Sequence, residues 1–284
     1  MTLYGIGLGP GDADLVTVRG RRVLEAADVV YSPGRLSRSV ATEHVPRDRI
    51  GDVDFPMTRD EDELRRAWRE AAEEIAPRAR DGTVAFVTLG DPNIYSTFGH
   101  LRRTLAAFHP DVDIEVVPGV SAVTAFTTAL GVEISSGASL ALHEAARGAA
   151  PTGPDRMILF KVTDVPTTHE QLVEAGYDVM YGRRLYMEEG ETVVTDDPET
   201  LTERDYYTLA YAEKRDLGSE PATAAFEGPE SESNAGTGTR AKTDGGAKPA
   251  TEPWSGEEFR RDTVSIERAE GEACGDEVPE APPR

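Results

Sequence analysis

The sequence predicts an α/β protein of two αβα domains, residues 1–117 and 118–215, followed by an acidic tail over 216–284 expected to be disordered. Three observations carry this. Short apolar runs alternate with stretches of helical length as far as Pro118. The pattern restarts after Gly131 with more strands per helix. Composition then breaks sharply near Arg215. Short strands separated by helix-length spacers make βαβ units, so the first block is expected to form a mostly parallel sheet. The strand-rich second block is expected to form a mixed or antiparallel one.

In chain order, Thr2–Gly9 is apolar and glycine-rich, the pattern of a buried strand. Leu15–Ala27 places Leu15, Val18, Val23, Leu24 and Ala27 so that its later part reads as a helix. Asp28–Ser32 is a second short strand. Asp60–Arg80 carries Leu64, Trp68, Ala71, Ala72 and Ile75 at helical spacing between charged residues. Thr83–Leu89 is a strand apolar on both faces, Thr97–Phe108 a helix and Ile114–Val117 a fourth strand. Ser121–Leu130 is a helix of small residues stopped by Gly131. Beyond it, Leu140–His143, Met157–Val162, Val179–Tyr186 and Tyr207–Ala212 read as strands, and Thr168–Ala175 as a helix.

The tail has another character. Of the 68 residues from Leu217 to Arg284, seven are Val, Ile, Leu, Met, Phe, Trp or Tyr. That much apolar area cannot offset the entropy of ordering the segment. Only Trp254–Ile266 has the makings of a docking segment or transient helix. The whole chain carries 52 acidic and 30 basic residues, a net charge of −22. A phosphate backbone would be repelled over most of such a surface, which argues against nucleic acid as a partner. A local basic cluster still suffices for an anionic small molecule. The bases comprise four Lys against 26 Arg, and this scarcity of lysine on an acidic chain is the pattern of proteins from high-salt interiors. One cysteine, Cys274, excludes an internal disulfide framework and a multi-cysteine zinc site. His100, His109, His143 and His169 lack metal-ligand spacing. With no apolar run of about 18 residues and no charged leader before the first strand, the expectation is a soluble cytoplasmic protein without a membrane span.

Three loops stand out. Gly5-Ile6-Gly7-Leu8-Gly9-Pro10-Gly11-Asp12 follows the first strand, but its register is not that of a dinucleotide-binding turn. Counting from Gly5 the sixth residue is Pro10, which has no N–H; counting from Gly7 it is Asp12, whose carboxylate would repel a pyrophosphate. Leu89-Gly90-Asp91-Pro92-Asn93-Ile94-Tyr95-Ser96-Thr97 lies at the carboxyl end of the strand Thr83–Leu89, where ligands of open α/β sheets bind. Gly90 permits close backbone approach and Asp91 can meet a polar ligand, while Ser96 is equally a cap for the helix that follows. Val117-Pro118-Gly119-Val120-Ser121-Ala122 repeats the arrangement, with Ser121 opening a helix whose first N–H groups are free.

The ordered set GLGPGD, ADVVYSPGR, LGDPNIYST and VPGVSA resembles the tetrapyrrole methylase family over Thr2 to about Lys214. Tyr-Ser-Thr after GDP, ILFKV and DYYTLAYAEK resemble its precorrin-2 / cobalt-factor II C-20 methyltransferase branch. The resemblance implies two αβα domains with S-adenosylmethionine in the cleft between them, methylation of precorrin-2 or cobalt-factor II at C-20 in cobalamin synthesis, and a homodimer. Carried over position by position, the family's cofactor contacts fall on Pro10, Leu89, Gly90, Asp91, Ile94, Ser121, Ala122, Val162 and Ala212. Alternatives within the fold are another regiospecificity on a tetrapyrrole, methylation of ribosomal RNA or of a translation factor, and a non-catalytic nucleotide-binding module. The charge disfavours the RNA.

Methyl transfer from a sulfonium requires alignment more than a nucleophilic side chain. If a ring proton must be removed, Asp12 in the Gly-Pro-Gly-Asp loop is the candidate base; it equally suits a cap on its own loop. The implied macrocycle bears acetate and propionate arms, which arginine recognises in bidentate fashion. Arg35 and Arg38, after the second strand, are the first candidates to bind them, with Arg183 and Arg184 next.

Overall fold

The computed structural model describes residues 1–217 except Asp54, Met57, Arg59 and Arg147. The expectations for the tail beyond Leu217, including Trp254–Ile266 and Cys274, lie outside the described residues. The described part contains two five-stranded sheets, each with helices on both faces.

The first sheet uses β1 (Thr2–Gly7), β2 (Val29–Ser32), β3 (Ile50–Asp52), β4 (Thr83–Thr88) and β5 (Asp113–Val117) in the order β3-β2-β4-β1-β5. Every pairing is parallel. The pleat divides its side chains cleanly. Ile6, Val30, Ala85 and Val87 pack on one face with Leu24 of α1 (Val18–Ala26) and Val40 and Ala41 of α2 (Arg35–Thr42). Leu3, Tyr31, Val84 and Phe86 pack on the other with α3 (Glu61–Asp81) and α4 (Phe98–Phe108). The chain leaves β1 toward one edge over the first face, and leaves β4 toward the opposite edge over the second. Adjacent strands β1 and β4 therefore form the topological switch point, the place where open parallel sheets present a crevice at their carboxyl ends.

Capping explains the helix boundaries. Asp60 accepts from the N–H groups of Asp62 and Glu63 to start α3, and Thr17 accepts from Gly20 N to start α1. Serine at 121 accepts from Val123 N to start α5 (Ala122–Leu130), which ends with Gly131 in the left-handed region at φ 67°. The Ser96 hydroxyl takes Phe98 N at the head of α4, performing the capping that Thr97 does not.

The second sheet has β6 (Ala141–Glu144), β7 (Arg156–Phe160), β8 (Tyr177–Arg183), β9 (Val193–Thr195) and β10 (Thr208–Lys214), ordered β6-β7-β10-β8-β9. Only β6 and β7 run parallel, so this sheet is mixed. Ile158, Phe160, Leu209 and Tyr211 face Phe126 of α5, while Met157, Leu159, Ala210 and Ala212 face α6 (Val165–Glu174). α2, β3 and β9 are additions to the elements read from the sequence.

Candidate active site

Three loops emerge side by side at the carboxyl ends of β1, β4 and β5. The backbones of Gly9 and Gly90 exchange hydrogen bonds, with Gly90 N donating to Gly9 O at 2.6 Å and Gly9 N to Gly90 O at 3.3 Å. Asp91 spends both carboxylate oxygens on backbone: Oδ2 accepts from Gly119 N at 3.1 Å and Oδ1 from Asn93 N at 2.8 Å. The Thr17 hydroxyl donates to Pro118 O, fastening the third loop to the start of α1. Gly7 and Gly119 approach so closely that a methyl group on Gly119 would lie 2.7 Å from Gly7 Cα. Gly90 differs. Its φ of 69° is left-handed, and the space where its Cβ would point holds nothing nearer than Ala122 N at 3.7 Å. The loops thus form a rigid floor with one open notch.

That notch opens into a cleft of about 540 Å³, within the range of small-molecule sites. Its walls come from both sheets. Pro10, Leu89, Gly90, Asp91, Ile94, Ser121 and Ala122 line it on the first side. Facing them are aromatic and apolar groups from elsewhere in the chain, among them Phe126, Phe160, Leu185, Met187, Tyr206 and Tyr207. Tyr95 reaches across: its hydroxyl donates to Leu142 O at 3.1 Å and its ring centroid lies 4.9 Å from that of Phe160. Phe55, which also lines the cleft, stacks on Trp68 in the core of the first sheet.

All four non-glycine residues described with positive φ lie in or beside this cleft: Tyr95 (48°), Lys161 (57°), Arg184 (52°) and Tyr186 (61°). Each is strained, and hydrogen bonds hold the flanks. Around Lys161, Phe160 O accepts from Ala145 N and Val162 N donates to Thr208 O. Arg184 donates from Nε to Asp205 Oδ2 at 2.5 Å and from Nη1 to Glu189 O at 3.1 Å, while Asp205 Oδ1 accepts from Tyr207 N. This mostly buried pair joins the segment carrying Leu185 and Met187 to the one carrying Tyr206 and Tyr207. Replacing Arg184 with Met leaves Asp205 charged and unmatched. Because the pair is not fully buried, the expected cost is about 2 kcal/mol, below the 3–5 typical of a wholly buried pair. A melting temperature lower by about 4–8 °C in a thermal scan checks it.

Electrostatics single out one group. Lys161 and Asp91 are the only charged residues among those described as lining the cleft. Burial opposes the charge of Lys161, yet Tyr206 and Glu144 together outweigh it and raise its pKa above the ordinary lysine value. Burial, then the neighbouring Tyr206, likewise raises that of Tyr207, which stays a neutral phenol.

The remaining sequence candidates lie elsewhere. Val162 and Ala212 are fully buried in the core on the α6 side of the second sheet, opposite the face that meets the cleft. Ala212 pairs with Met157, whose side chain shares that side, whereas Leu209 reaches the cleft from the α5 face. Asp12 caps the short turn Ala13–Leu15, its Oδ1 accepting from Asp14 N at 2.9 Å. Arg35 pairs with Glu189 and Arg38 with Asp52, so both guanidinium groups already meet carboxylates of their own chain. Arg183 pairs with Glu191 at 3.4 Å. Lys161, Tyr206 and Tyr207 fall within the segments ILFKV and DYYTLAYAEK that carry the resemblance, but sequence reasoning assigns none of them a site role. A signal is present all the same: Lys161 is one of only four lysines and directly follows a continuous apolar strand. No group of three His, Cys, Asp or Glu side chains among the described residues is arranged to hold a metal ion.

A cofactor with an apolar body and several hydrogen-bonding groups fits this floor. The notch at Gly90 admits a ligand where any side chain would intrude, and Ala122 N belongs to the first turn of α5, where N–H groups lack helical acceptors. Leu89, Ile94 and Ala122 supply apolar wall.

Comparison with known proteins places the molecule. A probable cobalt-precorrin-2 C(20)-methyltransferase of Methanocaldococcus jannaschii is 33% identical over 141 residues, covering 48% of this chain and 60% of that protein. The cobalt-precorrin-2 C(20)-methyltransferase of Salmonella typhimurium is 33% identical over 174 residues, covering 56% of this chain and 72% of the relative. A precorrin-4 C(11)-methyltransferase of Pseudomonas aeruginosa is 32% identical over 136 residues, 48% of this chain and 50% of the relative. The matched part therefore spans between half and three quarters of these relatives' lengths. Among solved structures, a putative cobalamin synthesis related protein from Corynebacterium diphtheriae shares the fold, with a TM-score of 0.62 at 20% identity over 75% of this chain and 98% of that one. The family model for tetrapyrrole (corrin/porphyrin) methylases matches residues 2–204, which is most of the sequence and all three strand-end loops, and the chain belongs to that family.

Proposed function

We propose that the protein is an S-adenosylmethionine-dependent C-methyltransferase of cobalamin biosynthesis that methylates precorrin-2 or cobalt-factor II at C-20. The observation that carries this reading is the cleft at the β1/β4 switch point, with its glycine notch on one side and an aromatic wall on the other. The 33% identity to two cobalt-precorrin-2 C(20)-methyltransferases supports the position of methylation.

When bound, S-adenosylmethionine supplies an electrophilic methyl group carried on a sulfonium. The chain's part is to hold and align. Pro10, Leu89, Gly90, Ile94, Ser121 and Ala122 would bind the cofactor along the loop floor. Asp91 acts by locking the second loop onto the third, and so sets the floor's shape. Phe55, Tyr95, Phe160 and Tyr206 offer flat apolar surface to a macrocycle and keep water from the reacting carbon. Alignment of this kind is worth about 7–11 kcal/mol in favourable systems, enough to carry the reaction without a nucleophilic side chain.

The similarity to a precorrin-4 C(11)-methyltransferase favours one alternative, methylation at C-11. Turnover separates the two. With S-adenosylmethionine in excess, cobalt-factor II is expected to be methylated at least a hundredfold more efficiently than cobalt-precorrin-4, about 2.7 kcal/mol of discrimination. The reverse preference would assign the C-11 reaction.

A further inference from the structure

Building on the proposed reaction, we infer that Lys161 is the carboxylate receptor of the cleft, binding an acidic arm of the tetrapyrrole and thereby setting how the macrocycle lies against the methyl donor. Cations are scarce here. In a chain of net charge −22, Lys161 is the only basic side chain described among the residues lining this cleft. Arg184 lies behind the wall, its guanidinium carbon 5.5 Å from the ring centroid of Tyr207, so among the described residues Lys161 alone brings a cation into the lining itself. Arg35, Arg38 and Arg184, each next in sequence to a lining residue, are already paired, with Glu189, Asp52 and Asp205.

Its geometry suits capture. Lys161 directly follows β7 in a left-handed conformation, φ 57°, fixed by the flanking bonds from Ala145 N to Phe160 O and from Val162 N to Thr208 O. Strain maintained by its surroundings at a ligand cleft is a mark of functional placement. The backbone turn takes the side chain out of the strand's alternation, which has Leu159 on the α6 face and Phe160 on the α5 face, and sets it on the cleft wall. The ammonium then lies 3.1 Å from Glu144 Oε2 and 5.2 Å from the ring centroid of Tyr206. An ammonium has three donors, so one bond to Glu144 leaves capacity for a ligand carboxylate. Glu144 is 43% exposed and can turn to solvent as the ligand arrives, whereas the lysine side chain is 21% exposed and stays in place. The ligand carboxylate can thus take a spare donor of the ammonium, with Glu144 free to yield its own to water.

Lys161→Met keeps the aliphatic stem and removes the charge, while Lys161→Arg keeps the charge. For Lys161→Met the Michaelis constant for cobalt-factor II is expected to rise at least tenfold, and for Lys161→Arg less than threefold. That for S-adenosylmethionine should stay within twofold in both. Equilibrium binding of uroporphyrin III, followed by its absorbance, reads the same property without turnover. The dissociation constant should rise at least tenfold in Lys161→Met and depend less on salt than in the wild type. Circular dichroism checks that the Met variant is folded, and recovery in the Arg variant excludes a purely structural role. Unchanged uroporphyrin binding in Lys161→Met, or a rise in the cofactor constant in place of the tetrapyrrole's, overturns the inference. Charge-dependent uroporphyrin binding by a wild type that does not methylate cobalt-factor II would instead overturn the proposed reaction and leave the lysine's role standing.

Discussion

Gly90→Val is expected to weaken S-adenosylmethionine binding by at least tenfold, about 1.4 kcal/mol, while the circular-dichroism spectrum is kept. Two effects act together. At φ 69° a β-branched side chain is in a region that costs L-residues about 1–2 kcal/mol. The valine would also project into the one notch of the loop floor, where the nearest atom to an added Cβ is Ala122 N at 3.7 Å. There is room for the side chain in the free protein, so folding survives, but the room is the ligand's. Titration calorimetry checks it, and undiminished affinity would remove this loop from the site.

Gly119→Ala should do the opposite, injuring stability first. Its methyl group would press on the Gly90 carbonyl oxygen and lie 2.7 Å from Gly7 Cα, where neighbouring backbone cannot move aside as a flexible side chain could. Overpacking of this kind costs about 1–3 kcal/mol. The bond from Gly119 N to Asp91 Oδ2 would be lost as the loops separate, and cofactor affinity would fall with it. Urea denaturation with parallel cofactor titration reads both. A variant as stable as the wild type would show that the three loops can part without loss.

Both substitutions act on features only partly legible in the sequence. The first sheet is readable because parallel strands buried on both faces appear as continuous apolar runs, as in Thr83–Leu89. The strand-end loops are readable because glycine and proline mark them. Arg35–Thr42 is harder: its apolar positions are Leu36, Val40 and Ala41, too few for a helical stripe, and its stability comes from packing Val40 and Ala41 under the first sheet. The edge strands β3 and β9 are three residues each, too short to show alternation. At the site, the loop floor follows from local motifs, but the opposite wall does not. Lys161, Tyr206 and Tyr207 come together with Tyr95 through the order of strands in the second sheet, which no local pattern encodes. The same pleat parity explains Ala212: a strand residue's face depends on its register, and Ala212 falls on the α6 side while Leu209 falls on the cleft side. Arginine partners are equally unreadable, since Glu189 lies 154 residues from Arg35.

The most direct measurement is the carbon-13 spectrum of the product formed when cobalt-factor II is incubated with the protein and S-adenosylmethionine labelled in its methyl group. One labelled methyl per macrocycle is expected, attached at C-20. A product labelled at another carbon, or a macrocycle recovered without label, would contradict the proposed reaction.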